Sequence, residues 1–153
     1  EQIKGIYVGE ITNWKEVGGE DARIFIYGRE NSSGTYAFFK EHVLEGEDFA
    51  AQTQTLPGTA AVVNAVAKDK NAIGYGGAAY GKGIKFCLVK KDATSPALAP
   101  TLENVKSGEY ALSRYLFWYL RNKPTGDLKK LVEFVQSDEG QKIVSEVGYF
   151  PVK

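Results

Sequence analysis

Methionine is absent from all 153 residues, position 1 included, and cysteine and histidine occur once each, as Cys87 and His42. A single cysteine excludes an internal disulfide framework and any multi-cysteine metal site. Cys87 lies in "IKFCLVK", a run patterned as a strand, where a small buried apolar residue is expected. Excess charge of either sign is missing too: 19 Lys and Arg balance 19 Asp and Glu, so no field recommends nucleic acid or an anionic membrane surface as a partner. No apolar run approaches the roughly 20 residues that a membrane-spanning helix needs. The opening "EQIKGIYVGE" reads as the middle of a helix, not as an initiator methionine or a processed leader. The expectation is therefore a piece of a longer chain, and the missing leader says nothing of localisation.

What remains is an ordinary globular composition, 43% hydrophobic and 25% charged, long enough for one domain with a sizeable core. Ile3, Ile6, Tyr7 and Ile11 recur at near-helical spacing up to Gly9. "ITNWKEVGG" is a turn-rich connection pinned by Trp14 and Val17, and 23–27 of "ARIFIYG" a β-branched and aromatic strand. A helix follows to about Leu44, then "EGEDFAAQTQTLPG" as a polar connection. Pro57, Gly58 and Thr59 open a helix with alanine and valine along its buried face. "NAIGYGG" and "IKFCLVK" read as strands, "DATSPALAP" as a loop, "TLENVKSGEY" as a short helical turn and "LSRYLFWYL" as an apolar strand or extended crossover. Helices over "GDLKKLVEFVQ" and "SDEGQKIVSEV" close the chain, the second capped by Ser137 with Gly140 at its third position. Alternating strands and helices argue for an α/β fold with a largely parallel or mixed sheet.

The densest chemistry is "YGRENSSGTYAFF", Tyr27 to Phe39, at a strand-to-helix junction, the end of such sheets where ligands bind. A helix start leaves backbone N–H groups without intrahelical partners and carries about half a positive charge. Ser33 is placed as N-cap, Gly34 lets a ligand approach the backbone, Ser33 and Thr35 offer hydroxyls, and the Arg29 guanidinium matches two oxygens of a tetrahedral oxyanion. A plainer reading stands beside it: Ser33 only caps a helix and Arg29 only pairs with Glu30 or another surface acid. Pro57-Gly58-Thr59 offers a second small-residue helix entrance, or an ordinary N-terminal turn. Catalysis has little support. His42 lies about two turns beyond Ser33, no Gly-x-Ser-x-Gly elbow or phosphate loop of the Gly-Lys-Ser/Thr kind is present, and Glu41, Glu45, Glu47 and Asp48 read as a solvated face, not a metal site.

"IKGIYVGEITNWKEVGG", "GRENSSGTYAFFKEHVL", "NAIGYGGAAY", "YALSRYLFWYL" and "FVQSDEGQKIVSEVGYFPV" together resemble the phosphate-binding proteins of bacterial phosphate ABC transporters, in order along essentially the whole chain. The resemblance implies an α/β fold like that of class II periplasmic binding proteins, a mixed sheet flanked by helices. About 1–110 would be the second of two lobes, about 111–153 a crossover strand and C-terminal helices, and the first lobe would precede Glu1. It implies that Arg29, Ser33, Gly34 and Thr35 are phosphate ligands, with Glu30, Asn31, Gly58 and Thr59 behind them. Family members often carry an aspartate at the place of Asn31 to buttress the arginine, so either Glu30 takes that part or hydrogen bonds alone hold Arg29. The implied partners are inorganic phosphate and the permease subunits of an importer, with no cofactor, in a periplasmic or extracytoplasmic protein that is lipid-anchored in Gram-positive relatives. An extracytoplasmic oxyanion-sensing domain uncoupled from transport would use the same site. Without the first lobe, Leu131, Phe134 and Val135, or Ile143 and Val147, are expected to be exposed, and self-association or repacking would cover them.

Overall fold

The computed structural model describes residues 1–152, and the chain divides into two compact units, 1–84 and 85 onward. In the first unit, helix α1 (Gln2–Val8) ends as its sequence dictates. Gly9 takes the left-handed conformation at φ 91°, and its N–H reaches back to the Gly5 and Ile6 carbonyls. The connection that follows contains a 3-10 turn over Trp14–Val17, boxed by Asn13 and Glu16, and Trp14 Nε1 donates to the Asn71 carbonyl at 2.9 Å. Strand β1 covers Phe25–Arg29, helix α2 Gly34–His42, strand β2 Gln54–Leu56, helix α3 Gly58–Lys68 and strand β3 Ala72–Gly74.

The three strands form one sheet in the order β2-β1-β3. Both ladders are parallel, with Tyr27 opposite Gln54 and Arg29 opposite Leu56 on one side, and Phe25 opposite Ala72 and Tyr27 opposite Gly74 on the other. A parallel pair needs a crossover between its strands, and α2 and α3 supply the two. The sheet is therefore parallel throughout. Strand β1 sits two residues later than the sequence suggests, so Arg29 is the last residue of a central strand and not part of a loop. Strand β2 lies inside the stretch read as a polar connection. It is a three-residue edge strand with mostly exposed side chains, and such a strand needs no apolar pattern, because its neighbour's backbone defines it.

Alternation along β1 decides what each face buries. Ile24 and Ile26 join Ile6, Tyr7, Phe39 and Leu44 in the core, with Ile73 and Tyr75 packed against it. The opposite face meets α3. There Gly74 lets α3 approach closely, since a Cβ would fall 2.6 Å from Val62 Cγ1 and 2.9 Å from Val66 Cγ2.

In the second unit, Val89 and Leu98 form a single antiparallel bridge, and helices α4 (Leu102–Lys106), α5 (Gly126–Gln136) and α6 (Asp138–Glu146) follow. "IKFCLVK" forms no strand among the described residues, and Cys87 is exposed instead of buried. Its pairing is confined to the bridge at Val89, too little to form a layer over Cys87, and Phe86 and Leu88 beside it are exposed as well. "LSRYLFWYL" likewise joins no sheet here, and Tyr115 to Leu120 are all exposed, Tyr119 at 91%. The junction of α5 and α6 is well built. Ser137 caps α6 by accepting from the Gly140 N–H, and buried Gln141 donates to the Val135 carbonyl and accepts from the Val152 N–H, each at 2.7 Å. Leu131, Phe134, Ile143 and Val147 are exposed as expected, whereas Val135 is half-buried.

The Gly74 contact yields a test. Gly74→Ala should cost about 1–3 kcal/mol by overpacking, read by denaturant unfolding, and Val62→Ala in the same chain should return part of that loss by making room for the methyl group. Two additive losses would show that α3 does not press on Gly74.

Candidate anion site

Arg29 reaches its position as the carboxyl end of β1, where its backbone is fixed by pairing with Leu56. Its side chain is held at three points. Nε and one terminal nitrogen, Nη2, donate side-on to the two carboxylate oxygens of Glu30 at 3.2 and 2.9 Å. The other, Nη1, donates to Thr59 Oγ1 at 2.7 Å. The Arg29 side chain is only 12% exposed and that of Glu30 34%. The Glu30 hydrogen bonds raise the Arg29 pKa further above its ordinary value despite opposing desolvation. Arg29 in turn lowers the Glu30 carboxyl to about 2, helped by backbone N–H groups. Of the five N–H donors a guanidinium owns, three are thus engaged and two remain.

Glu30 has a second task. It accepts from the Gly58 N–H at 3.2 Å, at the start of α3, where Pro57 has no side chain able to cap. The carboxylate therefore serves as the acceptor and the anion that the α3 terminus wants, and this helix entrance is already occupied by the chain's own charge. Thr59 is confined behind Arg29, since a Cβ on Gly76 would run into its methyl group. Gly58 and Thr59 thus touch Glu30 and Arg29. Asn31 is exposed, and Glu30, the neighbour of Arg29 in sequence, provides the buttress.

Helix α2 begins as expected, with Ser33 in extended conformation as its N-cap. Ser33 Oγ accepts from the Thr35 and Tyr36 N–H groups at 3.2 and 3.3 Å, so the Thr35 N–H is committed to the cap. Ser33 is buried while Gly34 is exposed, and Gly34 heads the first turn, where no intrahelical acceptor exists. Both features of the plainer reading, the cap and the Arg29–Glu30 pair, are thus present. His42 closes α2, exposed, its ring edge-on to Phe38 at 4.5 Å.

Beside Arg29 lies a cavity of about 280 Å³ whose wall includes Gly28, Tyr36, Phe49, Thr53 and Tyr75. Among the described residues Thr53 Oγ1 is buried without a hydrogen-bond partner. None of these side chains stands out in the sequence. Phe49 and Thr53 lie in the polar connection, and Tyr75 resembles any strand-end aromatic. The available signal for Tyr75 was its place just past the carboxyl end of β3, where ligands of parallel sheets collect.

Residues 1–139 match the model of the PBP superfamily domain, and the chain belongs to that family. Within it, the chain is 34% identical to phosphate-binding protein PstS of Bacillus subtilis, over 99% of this chain and 49% of that protein. It is 35% identical to phosphate-binding protein PstS of Staphylococcus haemolyticus, over 97% and 49%. Among solved structures, it is similar to a putative phosphate ABC transporter substrate-binding protein with bound phosphate from Clostridium perfringens. That similarity has a TM-score of 0.76 and 37% identity, over 99% of this chain and 61% of that one. The chain spans about half the length of the curated relatives it matches.

The Glu30 shift predicts a pH dependence. A carboxyl held at about 2 in the folded state, against an ordinary 4.5, contributes stability that is present above about pH 4.5 and lost as pH falls toward 2. Carbon-detected NMR titration should show the Glu30 carboxyl titrating near pH 2, and Arg29→Ala should move the midpoint back toward 4.5. A wild-type midpoint near 4.5 would mean that the side-on pair does not persist in solution.

Proposed function

We propose that this chain carries the Arg29 half of a binding site for inorganic phosphate and serves as part of the substrate-binding component of an ABC phosphate importer. The observation that carries the reading is the state of Arg29. It is fixed at the end of a central strand, braced side-on by Glu30, and left with two N–H donors. Arg29, Ser33, Gly34 and Thr35 are the proposed ligands: the Arg29 fork, the Ser33 and Thr35 hydroxyls, and the Gly34 N–H. Because the Thr35 N–H already serves the cap, its contribution would come through the hydroxyl. The matched relatives, whose names describe phosphate binding, support the choice of anion.

On this reading about 1–110 belongs to the second lobe of a two-lobed protein and about 111–153 to a crossover strand and C-terminal helices. The work is capture without covalent chemistry, on the outer side of the cytoplasmic membrane, with permease subunits as partners and no role for nucleic acid. Among the described residues no helix is long and apolar enough to cross a membrane. The exposed apolar residues of α5 and α6 would be covered in the assembled protein, or by self-association.

The rival is specific, since Ser33 does cap α2 and Arg29 does pair with Glu30. Calorimetric titration of the full-length protein with phosphate separates the two. Arg29→Ala should weaken binding by about 2–5 kcal/mol, roughly 30-fold or more, and Arg29→Lys should fall between, keeping charge without a fork. Wild-type affinity in Arg29→Ala would sink the assignment.

Ser33→Ala and Thr35→Val form a second test. Each should weaken phosphate binding, while Ser33→Ala alone should lose about 1 kcal/mol of stability with its cap. If the Ser33 variant melts lower and both bind phosphate like wild type, the cluster is a cap and nothing more.

A further inference from the structure

Tyr75 follows β3 directly, and its ring is clamped in the aromatic core. It stacks on Phe39 at 4.1 Å and 12°, meets Tyr7 edge-on at 5.6 Å, and lies 5.8 Å from Phe49. Its hydroxyl accepts from the backbone N–H of Arg29 at 3.2 Å. The reason lies in the ladder. Pairing of β1 with β3 ends at Tyr27 opposite Gly74, so the β3 backbone offers no acceptor two residues further on, and the Tyr75 side chain provides one. The hydroxyl lies beside Gly28, where an added Cβ would be in ordinary contact with it at 3.7 Å and pressed against Thr53 Cγ2 at 3.1 Å. Burial holds the phenol up at about 12.

We propose that Tyr75 is a positioning residue for the anion site, tying the Arg29 backbone to the aromatic core so that the guanidinium presents its two remaining N–H groups in a fixed direction. This rests on the phosphate reading above. Pairing with Leu56 holds the Arg29 backbone from the β2 side, while Glu30 and Thr59 act on the end of its long side chain. Tyr75 acts on its root, where a small displacement is carried through the whole side chain to the fork. Positioning of this kind affects affinity through pre-organisation and needs no contact with the ligand.

The test is a double-mutant cycle on the full-length protein, with phosphate affinity read by calorimetry or NMR titration and folding by thermal melts. Tyr75→Phe keeps the ring and its stacking while removing the acceptor. It should weaken phosphate binding roughly five- to tenfold, the order of one hydrogen bond, and shift the Arg29 amide resonance. In an Arg29→Ala background the same change should have no further effect on affinity, because residues that act through one another are not additive. Tyr75→Phe with wild-type affinity, at any melting temperature, would overturn the proposal, as would an equal loss in both backgrounds. Wild-type affinity in Arg29→Ala alone would overturn the phosphate reading and this proposal with it. Loss in Arg29→Ala with none in Tyr75→Phe would overturn this proposal only.

Discussion

The side-on pair between Arg29 and Glu30 is the interaction on which the rest of the first unit's polar end depends. An arginine this well buried has to be paired, since the cost of desolvating an isolated charge is several kcal/mol or more. Glu30 meets that need at close range and still leaves two N–H groups unspent. The same carboxylate closes the start of α3 through the Gly58 N–H. One residue thus neutralises a cation, caps a helix and ties α3 to the end of the central strand. Removing it would free a charge and a helix terminus together.

The precision of that arrangement comes from the layers beneath. Arg29 ends a strand held by two ladders and is itself paired with Leu56, and the missing side chains of Gly28, Gly74 and Gly76 let Thr53, α3 and Thr59 approach. The aromatic rings on the other face of the sheet are stacked within about 4–6 Å of one another, which leaves little freedom for the tyrosine that touches the Arg29 backbone. A chemically ordinary arginine acquires a defined direction because it stands on packed, rigid elements.

The second unit has a different character. Its helices α5 and α6 are joined tightly through Ser137, Gly140 and Gln141, yet Leu131, Phe134, Ile143 and Val147 and the run from Tyr115 to Leu120 face outward. Strongly amphipathic helices whose apolar faces are uncovered are elements made to pack on something. Their sequence pattern is legible for that reason, while their surroundings in this chain do not complete it.

Local signals in the sequence determined the helices and their ends, because a cap, a left-handed glycine or an apolar stripe acts within a few residues. Gly9 ends α1, Ser33 starts α2 and Ser137 starts α6 by chemistry that needs no partner from elsewhere. The resemblance carried by motifs such as "GRENSSGTYAFFKEHVL" likewise identified the family and pointed to Arg29, Ser33, Gly34 and Thr35 as an anion-binding cluster. Tertiary structure alone decided what depends on distant segments meeting. The polar Gln54–Leu56 became a strand only because β1 lay beside it, whereas the apolar "IKFCLVK" found only the single bridge at Val89 and left Cys87 exposed. The choice of Glu30 over Asn31 as the brace, the Thr59 contact across 30 residues and the Tyr75 contact across 46 belong to that second kind. Sequence spacing carries no information about such pairs, and the sheet that brings them together is a property of the folded chain.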